Sequence, residues 1–199
     1  MLSLAVKSKG LLKISLYHPS IAFTLLRCIS FALSKKSADI LDNFGLWAGI
    51  SDSQPILDIF IRDSDSPVHL HFAHDMVGES PMGYTVSSVD LYSTIANSLG
   101  SFDYFKGSTY HSIDCENGFV RMILEDRSEL EASLLICAEG KNSKIRKKLN
   151  IPVLSKSYDQ SSIVCNFKHD KNHENLAVER FFHGGTFAIL PMKSGYQSS

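Results

Sequence analysis

A chain of 199 residues with 44% apolar and 21% charged residues is ordinary for a soluble globular protein, long enough to bury one sizeable core or about one and a half domains. A formal charge of −1 and a pI near 6.7 argue against a broad nucleic-acid footprint. Cys28, Cys115, Cys137 and Cys165 lie far apart with no Cys-x-x-Cys spacing, so they read as buried free thiols in a reducing compartment and not as disulfide staples.

Leu2 to Val6 reads as a short strand, followed by a loop through Pro19. The first 38 residues hold Lys7, Lys9, Lys13, Arg27, Lys35 and Lys36 but no Asp or Glu. That composition is read as a bacterial cytoplasmic protein whose opening happens to lack acids, with a mitochondrial presequence as the alternative. The apolar run Ile21–Leu33 is interrupted by Arg27 and falls short of the ~20 residues of a membrane span, so no transmembrane helix is expected. Ser34 or Ser37 caps a helix built on Ala38, Ile40, Leu41 and Phe44, with Gly45 as its stop. Ile56–Arg62 and Val68–His74 are strands joined by the turn Asp63–Pro67. Ser87 or Ser88 opens a helix whose Val89, Tyr92, Ile95, Ala96 and Leu99 form one face, ended by Gly100. Strands follow near Phe102–Phe105, Tyr110–Asp114 and Phe119–Leu124, the last two joined through Asn117-Gly118, a pair suited to positive φ. Leu130–Ala138 is the next strand, buried over Leu134–Ala138. After Pro152 the pattern turns to repeated strands, Ile163–His169, Ala177–Phe182 and Thr186–Leu190. The boundary is placed there: residues 1–152 form one domain and 153–199 open another.

The segment with the most chemistry is Leu134 to Arg146, where an apolar strand ends in Glu139-Gly140. Gly140 permits a sharp turn, and Ser143 can cap a short helix carrying Arg146 and Lys147. A strand stopping at an acid and a glycine leaves backbone N–H groups facing a crevice where a ribose or pyrophosphate can sit. Glu139-Gly140-x-x-Ser143-x-x-Arg146 resembles the second cofactor signature of the flavin-dependent aromatic hydroxylases, usually written Asp-Gly-x-x-Ser-x-x-Arg. Further segments resemble the ubiquinone-biosynthesis branch of that family, in its order: Ile40–Trp47, Gln54–Ile59, Met82–Leu91, Glu179–Gly185 and Ala188–Pro191. The resemblance covers about residues 30 to 195.

It implies an α/β (α+β) fold: a partial FAD-binding Rossmann-like domain over 1–152 and the start of an antiparallel substrate-domain sheet over 153–199. It implies an FAD-dependent monooxygenase hydroxylating a polyprenyl-phenol intermediate of ubiquinone synthesis, with NAD(P)H or another reductant. Glu139, Gly140, Ser143 and Arg146 are then the cofactor-binding residues, and no catalytic acid or base is assigned. The expected location is the cytoplasm, with peripheral attachment to the inner membrane left open and the mitochondrial matrix as the alternative.

Several departures from the family pattern bear on cofactor binding. No Gly-x-Gly-x-x-Gly occurs anywhere in the sequence. Val6 or Lys7 stands where the family places a ribose-binding acid, and Ile29 and Val89 stand where it places arginines. These imply a fragment of a hydroxylase, truncated at both ends, whose own hold on FAD is weakened. The alternative is a catalytically silent remnant, or one half of a split protein whose complementary chain, or a ubiquinone-biosynthesis complex, supplies the rest.

Two histidine clusters invite other readings. His69 and His71 share a strand face that His74 does not, which fits a polar surface and not a metal site. His169, Asp170, His173 and Glu174 read as a solvated turn. Gly78-Glu79-Ser80-Pro81 is no nucleophile elbow, because Pro81 lacks the N–H needed after the serine.

Overall fold

The computed structural model describes residues 2–8, 11–18, 29–63, 66–78, 80–98, 103–106, 110–193 and 197–198. In chain order its first strands are β1 (Leu2–Ser8), β2 (Leu11–His18), β3 (Ser30–Ser34), β4 (Ser53–Ile56), β5 (Asp58–Asp63), β6 (His69–Ala73), β7 (Gly83–Ser87) and β8 (Asp103–Lys106). They are followed by β9 (Tyr110–Glu116), β10 (Phe119–Leu124), β11 (Glu129–Ala132), β12 (Leu134–Cys137), β13 (Phe167–Lys168), β14 (Leu176–Phe182), β15 (Gly185–Ile189), β16 (Pro191–Met192) and β17 (Gln197–Ser198). The helices are α1 (Lys35–Asn43), α2 (Ser88–Ser98) and α3 (Lys144–Lys148). Two compact units result, one of residues 1–22 with 99–160, the other of residues 23–98 with 161–199.

The first unit carries the motif of interest. Its meander β11-β10-β9 is built on the expected turn: Asn117 and Gly118 hold φ of 54° and 80°, and Phe119 pairs with Glu116 across it. Alternation along the strands sends Ile113, Met122, Leu124 and Ala132 to one face, all at most 5% exposed. Ile145 of α3, 1% exposed, packs into that cluster. Burying one such side chain is worth ~1.5–3 kcal/mol, so this contact locks the short helix to the meander. A second sheet has the order β12-β1-β2-β8, antiparallel except for β2 with β8.

Several expectations are corrected in this unit. The segment expected to be loop before Pro19 contains β2, paired with β1 from Leu11 to Tyr17. The single strand expected over 130–138 is two strands in different sheets, β11 on β10 and β12 on β1, divided at Ser133. Nor is Leu134–Ala138 buried: β12 is an edge strand, with Leu134 and Ile136 each about half exposed. An apolar run reports what a strand could bury, and an edge supplies cover on one flank alone. The thiols are free, but Cys115, Cys137 and Cys165 are exposed; Cys28 lies outside the described residues.

In the second unit, Ser34 caps α1 by accepting from the Ser37 N–H at 3.2 Å, and Gly45 (φ 68°) follows the helix end. β3-β7-β4 form one sheet. Gly83 of β7 lies so close to β3 that a Cβ there would stand 2.5 Å from the Leu33 carbonyl oxygen. Past β7 the chain enters α2 at Ser88, whose N–H donates to the Ile29 carbonyl at 3.0 Å. The largest sheet of this unit is β15-β14-β5-β6. It is mixed and not wholly antiparallel, because β14 runs parallel to β5, Leu176 opposite Asp58. Of the strand expected over Ile163–His169 only β13 forms, paired with β17. β14 and β15 lie in a sheet separate from that of β12, as expected from the change of pattern after Pro152.

Candidate functional site

The chain leaves β12 at Cys137 and turns at Gly140, whose φ of 78° favours glycine and whose Cα faces open space. The Ser143 N–H returns to the Gly140 carbonyl at 3.3 Å. Glu139 reaches over the turn, and its Oε2 accepts from the Ser143 hydroxyl at 2.6 Å and from the Ile145 N–H at 3.0 Å. Ser143 in turn caps α3, its Oγ accepting from the Arg146 N–H at 3.1 Å. The Arg146 guanidinium folds back to the carbonyls of Gly140 and Lys141. All four residues singled out in the sequence therefore meet in one hydrogen-bonded turn, with Ser143 5% exposed and Glu139 and Arg146 half-buried.

The roles within the turn are unequal. Two orphan N-terminal donors of a helix are satisfied by Ser143 and Glu139 together, an arrangement that organises the backbone. What faces outward is the bare backbone at Gly140, and the Nε of Arg146 is shielded from solvent without a hydrogen-bond partner. An open glycine backbone with a guanidinium held at the same turn fits the polar, anionic middle of a dinucleotide such as FAD. Glu139 and Ser143 would hold the turn, while Gly140 and Arg146 would meet the group.

Two neighbours of the turn escape a reading by motif. Burial, and then the Glu139 charge, pushes the Tyr110 hydroxyl above its ordinary pKa. The Cys137 thiol is raised for the same two reasons, with Cys115 adding to it. Cys137 could have been suspected from its place two residues before Glu139, whereas Tyr110 arrives from β9 and nothing local announces it.

The positions marked as departures lie elsewhere. Val6 and Lys7 belong to β1, opposite Lys13 and Leu12 of β2. Ile29 and Val89 sit at the junction of β3, β7 and α2 in the second unit, and Val89 is 38% exposed. Asp90, beside Val89, accepts from the Asp52 N–H at 2.7 Å and so ties α2 to the loop before β4.

The histidine clusters are settled by geometry. His71 Nε2 and His74 Nδ1 lie 3.4 Å and 3.1 Å from the two carboxylate oxygens of Asp58, while His69 stacks on Phe60. The strand pattern separated His74 from His71, but the chain leaves β6 at Ala73 in a 3₁₀ turn, which swings His74 back to Asp58. Neither His71 nor Asp58 is deeply buried, and among the described residues no group has the makings of a metal site. His169 and His173 do more than line a solvated turn. The former meets the Ser198 hydroxyl at 2.9 Å and the latter the Met192 carbonyl at 2.7 Å, joining β17 and β16 to the preceding loop.

Comparison with known proteins gives the family and the fold. The model of a family described as FAD binding domain matches residues 30–199. The chain is 34% identical over 176 residues to the ubiquinone hydroxylase UbiL of Rhodospirillum rubrum, covering 86% of this chain and 40% of that protein. It is 26% identical over 182 residues to the human mitochondrial ubiquinone biosynthesis monooxygenase COQ6, covering 84% of this chain and 38% of the relative. The chain thus spans about two fifths of the length of these relatives. Among solved structures, the fold resembles Klebsiella pneumoniae HpxO complexed with FAD and uric acid (TM-score 0.67, 15% identity, 92% of this chain and 47% of the other). It also resembles P. aeruginosa PqsL in complex with 2-aminobenzoylacetate (TM-score 0.69, 14% identity, 92% and 52%).

Proposed function

The chain belongs to the FAD-binding-domain family, and on that premise we propose that it is part of an FAD-dependent monooxygenase that hydroxylates a polyprenyl-phenol intermediate of ubiquinone biosynthesis. The observation that carries the reading is the hydrogen-bonded turn Glu139–Arg146, the family's second cofactor signature folded as a unit, in a chain 34% identical to a ubiquinone hydroxylase. Bound flavin supplies the oxygen chemistry, with electrons from NAD(P)H or another reductant. The chain's own part is positional: Gly140 and Arg146 meet the dinucleotide, and Glu139 and Ser143 keep the turn from opening. Residues 1–152 serve the cofactor and 153–199 the substrate sheet as a division of labour, not of packing, since residues 23–98 pack with 161–199. Cytoplasm with peripheral attachment to a membrane, or the mitochondrial matrix, is the proposed location. Among the described residues no helix is long and apolar enough to cross a bilayer.

A second reading is a catalytically silent remnant, or half of a two-chain protein. It is favoured by the open edge of β12 and by Ile29 and Val89, which stand where the family places arginines. Equilibrium dialysis against FAD separates the two. Under the first reading the chain binds FAD, more weakly than an intact relative, and Arg146→Ala weakens binding about tenfold further. Undetectable binding, or binding indifferent to Arg146→Ala, would leave the second reading in place.

A further inference from the structure

The overall charge of −1 conceals two regions of opposite sign within the first unit. Alternation along the meander turns Ile113, Met122 and Ala132 to the core, so the residues between them stand on the other face. There the register sets Arg121 between Asp114 and Glu131, Phe119 beside Glu116, and Ile123 beside Glu129. These side chains line a groove of about 490 Å³. Arg121 reaches Glu131 at 3.5 Å, but a single guanidinium cannot neutralise four carboxylates. Phe119, 51% exposed, adds an apolar surface amid the acids.

The opposite side of the same sheet carries the cations. Helix α3 is seated there by Ile145, which leaves Lys144, Lys147 and Lys148 turned outward and exposed. From Lys141 to Tyr158 the sequence holds six Lys or Arg residues and no Asp or Glu. Leu149 and Ile151, next to the helix, are about half exposed. The sheet stands between the two patches, so the helix lysines of one copy face away from its own groove. A second copy can bring the patches together, ammonium groups to carboxylates and Leu149 and Ile151 to Phe119 and Ile123. We propose that the acidic groove of the meander takes helix α3 of a second copy of this chain, head to tail. Such a contact is heterologous and repeats into a ring or an open row. The inference goes beyond the flavin reading and does not depend on it, because a chain without FAD would keep both patches.

Sedimentation velocity of the full chain over a range of concentrations tests the proposal. At low salt the mass is expected to climb above the 22.1 kDa of a single copy as concentration rises, and ~1 M salt should return it to that value. Glu129→Lys with Glu131→Lys, and separately Lys144→Glu with Lys147→Glu, should each weaken self-association more than about tenfold by setting like charges opposite one another. An equimolar mixture of the two variants should associate again, because the unaltered helix of the first fits the unaltered groove of the second. A single-copy mass at every concentration, association indifferent to salt or to either pair of changes, or a mixture that stays apart would each overturn the proposal. Should a variant fold poorly, the unaltered chain still decides. A carbodiimide joins lysine to carboxylate with no spacer, and in a mixture of isotope-labelled and unlabelled copies it should link Lys144 or Lys147 to Glu129 or Glu131 between copies. Links confined within single copies, or none, would overturn the contact.

Discussion

Replacing Glu139 separates a structural acid from a ligand-binding one. Its Oε2 accepts two bonds, from the Ser143 hydroxyl at 2.6 Å and the Ile145 N–H at 3.0 Å. Hydrogen bonds to a charged group are worth ~1.5–3 kcal/mol when buried, and half-burial puts each of these at the low end or below. Glu139→Ala should therefore cost the turn about 2–3 kcal/mol, and Glu139→Gln, which keeps an acceptor without its charge, about 1 kcal/mol. Ser143→Ala removes the same hydroxyl donor and also the cap on the Arg146 N–H, for about 2 kcal/mol. Because the two single changes delete one shared bond, the double variant should cost about 3 kcal/mol and not the sum, a coupling of at least ~1 kcal/mol. The assay is amide hydrogen exchange at Ile145 and Arg146, which Glu139→Ala should accelerate roughly 30- to 150-fold. Fluorescence of Trp47, the single tryptophan, reports on the other unit and serves as the reference. Exchange altered less than about threefold would refute the structural role and return Glu139 to the ligand.

Gly83→Ala should destabilise the second unit by about 2–3 kcal/mol, because the new Cβ would meet backbone, the Leu33 carbonyl oxygen at 2.5 Å. Urea unfolding followed by Trp47, which packs edge-on to Tyr84 of β7 at 4.7 Å, would show it, and a loss under about 0.5 kcal/mol would mean that β3 yields. Asp58 is held below the ordinary carboxylate range, first by its hydrogen bond from His74 and also by His71. A depressed carboxylate contributes stability that is present above its unfolded pKa and is lost as pH falls through the folded one. Urea midpoints of the unaltered chain should thus exceed those of Asp58→Asn at neutral pH, and the gap should narrow as pH falls below about 4; a pH-independent gap would exclude the carboxylate's charge as the cause.

Local chemistry in the sequence predicted local structure well. Ser34, Ser143 and Asn117-Gly118 each set a cap or a turn through atoms within a few residues, and each is found doing so. The acid, glycine, serine and arginine of the candidate site came together because their spacing encodes the turn that joins them. Pairing between distant segments was illegible. Nothing in Asp58–Asp63 announces that it runs parallel to Leu176–Phe182, nor in Leu130–Ala138 that it divides between two sheets. Burial misled for the same reason. Leu134 and Ile136 have the composition of a central strand, but exposure is decided by which neighbours arrive, and β12 receives one.

The parallel register of β5 with β14 also dictates an order of events during synthesis. β5 and β6 are separated by a short turn and can zip together as soon as both have emerged from the ribosome. The other flank of β5 must wait for Leu176, with the whole of residues 99–160 still to be translated and assigned to another unit. At ~5–20 residues per second that interval is on the order of ten seconds, long compared with the microseconds in which a hairpin forms. Throughout it, Ile59, Phe60 and Ile61 present an unpaired backbone edge to every other nascent chain nearby. Expression yield should accordingly respond to chaperone supply and to translation speed across residues 99–160, a segment that belongs to the other unit.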